Sequence, residues 1–146
     1  MGAAAAYEAS RDVPTSPAAA CAAILAPAAL PRWFRGARVL RADDAWPARG
    51  ASMSWAVGSG ERWRFDARVA EAALPSRVVL DVHTPSGRSR VTFAFDALPG
   101  GGTRFTKRVE VLESKGALAA LFLRAFLRGA VRREVAKAAA LAGASG

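Results

Sequence analysis

The fold is decided by residues 61–112, which read ERWRFDARVAEAALPSRVVLDVHTPSGRSRVTFAFDALPGGGTRFTKRVEVL. Apolar and charged residues alternate through most of this stretch, and turn signals interrupt it at Pro75, at Pro85 to Gly87 and at Pro99 to Gly102. Alternation with a period of two is typical of a strand with one buried face, and clusters of Pro and Gly mark turns. The stretch therefore predicts four antiparallel strands, at residues 61–70, 77–83, 88–97 and 103–112.

Three shorter strands are predicted upstream. Residues 7–13 and 52–57 alternate in the same way, and residues 37–42 follow Gly36. Gly58 to Gly60 is a further turn signal, which joins the strand at 52–57 to the deciding stretch. Six consecutive strands joined by short turns favour an antiparallel sheet with one apolar and one charged face.

Two short helices are predicted between the first and second strands. Ser16 suits the N-cap and Pro17 the first turn of a helix over residues 18–26. Pro27 ends this helix and leaves room for at most one further turn at residues 28–30.

The C-terminal part is rich in Ala, Leu and Arg. Residues 117–142 contain no Pro and one Gly, which predicts a single helix about 40 Å long. It is the only predicted element long enough to cover the apolar face of the sheet. Its sheet-facing stripe is predicted to be Leu127, Val131, Val135, Ala138 and Ala142.

Together these elements predict an α+β fold: a curved seven-stranded antiparallel sheet wrapped around a long C-terminal helix, with two short helices after the first strand. We expect one domain over residues 1–146, with flexible ends at 1–5 and 143–146. Because the short helices are mostly Ala and fill little volume, a cavity is expected between the sheet and the long helix.

Composition excludes several classes of function. One Cys among 146 residues excludes a disulfide framework, and one His excludes a His-rich metal site. The net charge is +9, but the basic residues are 18 Arg and 3 Lys, and the chain also contains 36 Ala. This is typical of a compositional bias, and the Arg residues are dispersed, so we predict no nucleic-acid partner.

Without a targeting or membrane-spanning segment, a soluble cytoplasmic protein is expected.

Four segments resemble a known family. They are YEASRDVPTSPAAACAAI at 7–24, PAALPRWFRG at 27–36, RWRFDARVAEAALPSRVVLDV at 62–82 and PGGGTRFTKRVEV at 99–111. The chain resembles the START-like, helix-grip SRPBCC proteins, and in particular their bacterial polyketide cyclase/dehydrase-like branch. It departs from the family pattern at Ala26, where Asp often precedes the Pro.

The resemblance implies a hydrophobic ligand pocket between the sheet and the helix. From the residues themselves we expect no cofactor and no metal. Such families include lipid carriers, hormone receptors, aromatic cyclases and chaperone-like activators, and the fold does not choose among them. Aromatic and large apolar side chains are the candidate ligand-binding residues, although they could equally fill a core. These candidates are Trp33, Phe34, Trp55, Trp63, Phe65, Leu80, Phe93, Phe95, Phe105, Phe122 and Phe126.

Two cations are also candidate ligand-binding residues. Alternation places Lys107 on the inner face with Phe105 and Val109, and places Arg11 on the inner face of the neighbouring first strand. Cations on an apolar face are costly unless they are paired, so we expect a bulge, snorkelling to the cavity mouth or a ligand anion. If a ligand anion balances these two cations, Lys107→Met should stabilise the protein without its ligand.

No catalytic residue is predicted. His83 is expected to point outward beside Asp81, and Cys21 to be a buried small residue. Asp43 and Asp44 read as turn formers, not as metal ligands. Tyr7 is the one weak candidate for an inward-facing acid or base.

The predicted function is binding of a hydrophobic or aromatic small molecule, lipid or polyketide-like, as a carrier or sensor. The first alternative is a cyclase or dehydratase that shapes such a substrate and moves a proton. The second is association with a partner or a membrane surface through the basic C-terminal helix. We expect a monomer or a weak homodimer.

Overall fold

The computed structural model describes residues 5–144, except for the side chains of residues 5, 117–126 and 144. The strands are β1 (Ala5–Val13), β2 (Ala37–Ala42), β3 (Ser52–Val57), β4 (Trp63–Ala73), β5 (Arg77–Thr84), β6 (Gly87–Ala97) and β7 (Thr103–Ser114). The helices are α1 (Pro17–Leu25), α2 (Leu30–Trp33) and α3 (Ala117–Ala144), and a 3-10 turn at Pro27–Ala29 joins α1 to α2. The predicted fold class and the order of its elements are confirmed.

All seven strands form one antiparallel sheet in the order β1-β7-β6-β5-β4-β3-β2. Neighbours follow chain order except that β1 lies beside β7, where Ala9 pairs with Lys107 and Arg11 pairs with Phe105. Register shifts in β2, in β4 and where β6 pairs with β7 interrupt the ladders. Such irregularities increase local twist and bend the strands, which curves the sheet around its apolar face.

The predicted start of β4 is two residues too early. The turn after β3 extends through Arg62, because Gly58 and Gly60 both adopt positive φ, at +78° and +73°. Two such residues so close together widen the connection, since only Gly adopts this backbone region without strain. The Arg38 guanidinium donates to the Gly60 carbonyl and holds the widened turn.

Helix α1 is fixed at both of its ends. The Ser16 hydroxyl accepts a hydrogen bond from the Ala19 amide at 3.2 Å, so Ser16 is the predicted N-cap. At the other end, the indole of Trp33 donates to the Ile24 carbonyl at 2.9 Å, and a second indole, from Trp46, donates to the Leu25 carbonyl at 3.0 Å. These bonds satisfy carbonyls that the end of the helix leaves unpaired.

Helix α3 lies across one side of the sheet. It packs mainly against β1 and also contacts β7, α1 and α2. Four residues of its predicted stripe, Val131, Val135, Ala138 and Ala142, are fully buried, whereas Leu127 is half-buried. Because α3 covers one side of the sheet most closely, space remains above β3 to β6. No helix in the described part of the chain is apolar over enough of its length to cross a bilayer.

Candidate ligand-binding site

The space between the curved sheet, α2 and α3 is a cavity of about 500 Å³. This volume is within the range of about 300–1,000 Å³ that is typical of small-molecule sites. Apolar side chains form most of its wall. Those in the wall are Ile24, Leu25, Ala26, Leu30, Trp33, Phe34, Trp46, Met53, Trp55, Val57, Trp63, Phe65, Leu80, Val82, Val91, Phe93, Val109 and Leu127.

Three aromatic rings form one continuous side of the cavity. Trp55 and Phe65 are directly opposite each other on β3 and β4, and their rings stack with centroids 5.4 Å apart and an interplanar angle of 8°. Phe34 meets both rings edge-on, at 5.9 and 5.5 Å. Such stacked and edge contacts are the favoured arrangements of aromatic pairs, so this side of the cavity is a preformed aromatic wall.

All four tryptophans of the chain line the cavity. Trp33, Trp55 and Trp63 were candidates from the sequence, whereas Trp46 was missed because its segment reads as a polar loop. Its ring is buried, and its hydrogen bond to the end of α1 holds it in the wall. The sequence did contain one signal for a buried Trp46, a bulky indole within a turn-rich segment. Trp63 differs from the others because it is 49% exposed and stands at the rim.

One indole donor in the wall is unused. Trp55 is 5% exposed, and its Nε1 has no hydrogen-bond partner among the described residues. A buried N–H without an acceptor is costly, and a ligand acceptor would satisfy it.

Lys107 faces inward, as the alternation of β7 predicts, and is 5% exposed. Its Nζ lies 4.9 Å from the ring centroid of Trp33, 5.9 Å from that of Phe34 and 5.8 Å from that of Phe93. An ammonium at these distances from ring faces is attracted by their negative charge density. We refer to these three rings as the ammonium cage.

The counter-charge of Lys107 comes from the protein. Glu134 on α3 accepts a hydrogen bond from the Lys107 ammonium, and both side chains line the cavity. Of the residues in α3, Glu134 is the one acidic residue, surrounded in sequence by Arg132, Arg133 and Lys137. That isolation was the signal that sequence reasoning missed. The pairing removes the need for a ligand anion to offset the charge.

The prediction for Arg11 is wrong. Arg11 is exposed and does not line the cavity; it borders a shallow groove between β1 and α3, beside Arg132. Arg11 does alternate in step with the inward-facing residues of β1, as predicted. However, β1 is an edge strand, so a long side chain there extends past the helix into water. Lys107 is opposite Ala9 instead, so Arg11 and Lys107 do not come together inside the protein.

Two aromatic candidates fill the core instead of lining the cavity. Phe95 and Phe105 are each 1% exposed, their rings stack at 5.3 Å, and neither is in the cavity wall. They lie toward the end of the sheet against which α1 packs, so no space remains around them. Phe122 and Phe126 lie outside the described side chains.

The rim is formed where several strands end. Thr84, Ser86 and Arg88 from the β5–β6 hairpin lie there, with Glu113 from the end of β7. The Arg88 and Glu113 side chains form an ion pair at 3.5 Å. Among the described residues, the rim is therefore polar, and the Lys107–Glu134 pair is the charged group of the otherwise apolar interior.

The remaining candidates lie away from the cavity. His83 is exposed on the outer face and paired across strands with Asp66, and Cys21 is buried in α1. Burial raises the pKa of the Cys21 thiol, which keeps it protonated and unreactive. The described residues contain no group of three or more His, Cys, Asp or Glu side chains that could hold a metal ion.

A curved antiparallel sheet that holds a long C-terminal helix, with an apolar cavity between them, defines a helix-grip protein. The chain belongs to the family described as polyketide cyclase/dehydrase and lipid transport, whose sequence model matches residues 4–143. The family resemblance seen in the sequence is thus confirmed. No protein of curated function matches the chain.

Solved structures show the same fold. An aromatase/cyclase, Zhui from Streptomyces sp. R1128, is 11% identical with a TM-score of 0.74, covering 94% of this chain and 93% of that one. The protein MLL2253 from Mesorhizobium loti is 15% identical with a TM-score of 0.73 and coverages of 94% and 96%. A protein from Rhodobacter sphaeroides is 23% identical with a TM-score of 0.69 and coverages of 99% and 93%. At these identities the likeness concerns the fold alone.

Proposed function

We propose that this protein binds a hydrophobic small molecule with aromatic character, as a carrier or sensor, in the cavity between the sheet and α3. The observation that carries the proposal is the cavity itself, about 500 Å³ of space walled by apolar and aromatic side chains. An empty apolar space of this size is costly to maintain, because its lining forgoes packing contacts. A ligand that fills it restores those contacts.

The shape of the wall favours planar rings. Trp55 and Phe65 present a stacked surface, and Phe34 closes it from the side. A fused aromatic ligand would meet these rings in the offset or edge-on arrangements that aromatic pairs prefer. An aliphatic chain would fill the same volume without that geometry, which makes aromatic ligands the better match.

The test is a titration with the neutral fluorescent probe N-phenyl-1-naphthylamine. Because all four tryptophans line the cavity, binding should quench tryptophan emission and saturate at one probe per chain. Native mass spectrometry of the purified protein should confirm the one-to-one complex and show any molecule that co-purifies. Probe binding that does not saturate, or that leaves tryptophan emission unchanged, would contradict the proposal.

A second candidate function is a cyclase or dehydratase. The observation that favours it is the Lys107–Glu134 pair, which places a proton donor beside a proton acceptor inside the cavity. In an aldol-type cyclisation, Glu134 would remove a proton from the carbon next to a ketone, and the Lys107 ammonium would hydrogen-bond to the carbonyl oxygen.

This candidate is tested by proton exchange at carbon. The methyl group of 2-acetonaphthone should exchange its hydrogens for deuterium faster in the presence of the protein in D₂O, as followed by NMR. Glu134→Gln should remove the acceleration, because an amide does not accept the proton. Equal rates with the wild-type protein and the variant would leave the carrier function as the better account.

A further inference from the structure

The Lys107–Glu134 pair is a site of mixed charge enclosed by aromatic rings. Lys107 is 5% exposed, and the side chain of Glu134 is 15% exposed. An ammonium has three N–H donors, and Lys107 uses one of them on Glu134. The rings of the ammonium cage have no hydrogen-bond acceptor of comparable strength. Donor capacity therefore remains at the cavity wall beside a carboxylate that can accept.

We propose that this pair makes the cavity selective for aromatic ligands that carry a neutral hydroxyl group, a phenol or an enol. This inference rests on the proposed function. A hydroxyl group is both a donor and an acceptor. Its oxygen accepts from the Lys107 ammonium while its hydrogen is donated to the Glu134 carboxylate. A ketone oxygen can only accept from the ammonium, and an indole N–H can only donate to the carboxylate, so neither of these groups satisfies both partners.

The electrostatics of the pair disfavour anionic ligands. The pair is net neutral, so a ligand carboxylate gains the attraction of Lys107 but meets the repulsion of Glu134 at nearly the same distance. The anion also loses its hydration in an apolar cavity. Among the described residues, two further cations line the cavity: Arg88 is already paired with Glu113, and Arg35 is exposed, so water screens its charge. Selectivity for hydroxyl groups thus follows from Glu134 and not from Lys107 alone.

The experiment compares three ligands of matched shape at pH 7: 2-methylnaphthalene, 2-naphthol and 2-naphthoate. The measured quantity is the dissociation constant, obtained from displacement of N-phenyl-1-naphthylamine. The wild-type protein should bind 2-naphthol about tenfold more tightly than 2-methylnaphthalene, which corresponds to hydrogen bonds with charged partners. It should bind 2-naphthoate more weakly than 2-naphthol.

Glu134→Gln supplies the decisive comparison. This variant keeps the shape of the side chain and an oxygen that accepts from Lys107, but leaves the ammonium without a counter-charge. Affinity for 2-naphthoate should rise about tenfold or more, and the order of 2-naphthol and 2-naphthoate should reverse. Glu8→Gln is the matched control, because Glu8 is exposed on β1 and the change in net charge is the same. Its preference should equal that of the wild-type protein.

A double variant keeps the test informative if single changes at the pair unfold the protein. Lys107→Met with Glu134→Leu replaces both charges by apolar groups of similar size, which buried ion pairs often tolerate. It should bind all three ligands in order of their hydrophobicity, with no advantage for 2-naphthol over 2-methylnaphthalene.

The outcomes separate the two proposals. Equal affinity of the wild-type protein for 2-naphthol and 2-methylnaphthalene would overturn the selectivity while leaving cavity binding intact. So would tightest binding of 2-naphthoate by the wild-type protein, or a Glu134→Gln variant that keeps the wild-type order. If none of the three ligands displaces the probe and the probe itself does not bind, the proposed function fails as well.

Discussion

Lys107 on β7 and Glu134 on α3 form an ion pair that joins the sheet to the long helix beside the cavity. Both belong to surfaces that are otherwise apolar: Lys107 lies between Phe105 and Val109 on the inner face of β7, and Glu134 lies beside the buried Val135. The pair couples two features of the protein, the stability of the contact between α3 and the sheet and the polarity of the cavity.

The pair makes Lys107→Met destabilising. Loss of the ammonium leaves the Glu134 carboxylate in a largely apolar site, which should cost about 3 kcal/mol of the free energy of unfolding. This reverses the expectation from the sequence, in which no counter-charge was recognised. Urea unfolding measures the effect, and Lys137→Met, at an exposed position of α3, is the matched control.

The double replacement completes that comparison. Lys107→Met with Glu134→Leu should recover most of the lost stability, since no unpaired charge remains. A double variant as unstable as the sum of the two single variants would show that the two side chains act independently.

Phe65 and Phe95 separate the roles of wall and core. Phe65→Ala removes half of the stacked pair in the cavity wall and should weaken binding of N-phenyl-1-naphthylamine about 2- to 10-fold. Phe95→Ala opens a void in the core and should cost about 3–5 kcal/mol of stability. Probe affinity of folded Phe95→Ala should stay at the wild-type value. The same loss of affinity in both variants would show that the wall has been assigned wrongly.

Residues 27–36 should respond to a ligand. This segment has one 3-10 turn and a four-residue helix, so few backbone hydrogen bonds hold it, yet it supplies Trp33 and Phe34 to the cavity wall. Hydrogen exchange of its amides should be faster than that of the strands in the free protein, and slower once N-phenyl-1-naphthylamine is bound. Equal and high protection in both states would identify the segment as plain core.

Cys21 should be unreactive in the folded protein. Burial raises the pKa of its thiol above the ordinary value of 9.0, so the folded state holds this proton more tightly than the unfolded state. The corresponding stability is present below pH 9.0 and is lost as pH rises through the raised pKa. Reaction with 5,5′-dithiobis(2-nitrobenzoate) at pH 8 should be slow in buffer and fast in urea. Rapid labelling of the folded protein would contradict this burial.

The difference between wild type and Cys21→Ala isolates the thiol from other groups that titrate at high pH. The stability advantage of the wild-type protein over this variant should shrink as pH rises above 9.0. A difference that stays constant with pH would show that the thiol titrates normally in the folded state.

The fold could be predicted because its signals are local. Alternation in β4 to β7, Pro and Gly at the turns, and an uninterrupted Ala- and Leu-rich C-terminal segment each specify one element. The cavity wall was harder to predict, because alternation gives the face of a residue but not its depth along the strand. Phe93 and Phe95 share a face of β6, yet only Phe93 lines the cavity.

Pairings between distant elements could not be predicted. The contact of Glu134 with Lys107 depends on where α3 crosses the sheet, which no pattern within either segment encodes. The exposure of Arg11 depends on β1 being an edge strand, which leaves this side chain in a groove beside α3 that is open to water. Trp46 enters the wall through its bond to the Leu25 carbonyl, a contact between two segments 21 residues apart.

The most direct measurement of the central claim is an NMR titration of ¹⁵N-labelled protein with 2-naphthol. The four indole N–H groups give signals separate from the backbone amides, and all four side chains line the cavity. Every indole signal should shift and saturate at one ligand per chain, whereas amides beside the exposed Asp12 on β1, away from the cavity, should stay in place. Unmoved indole signals, or shifts spread over the outer face of the sheet, would contradict the assignment of the cavity as the binding site.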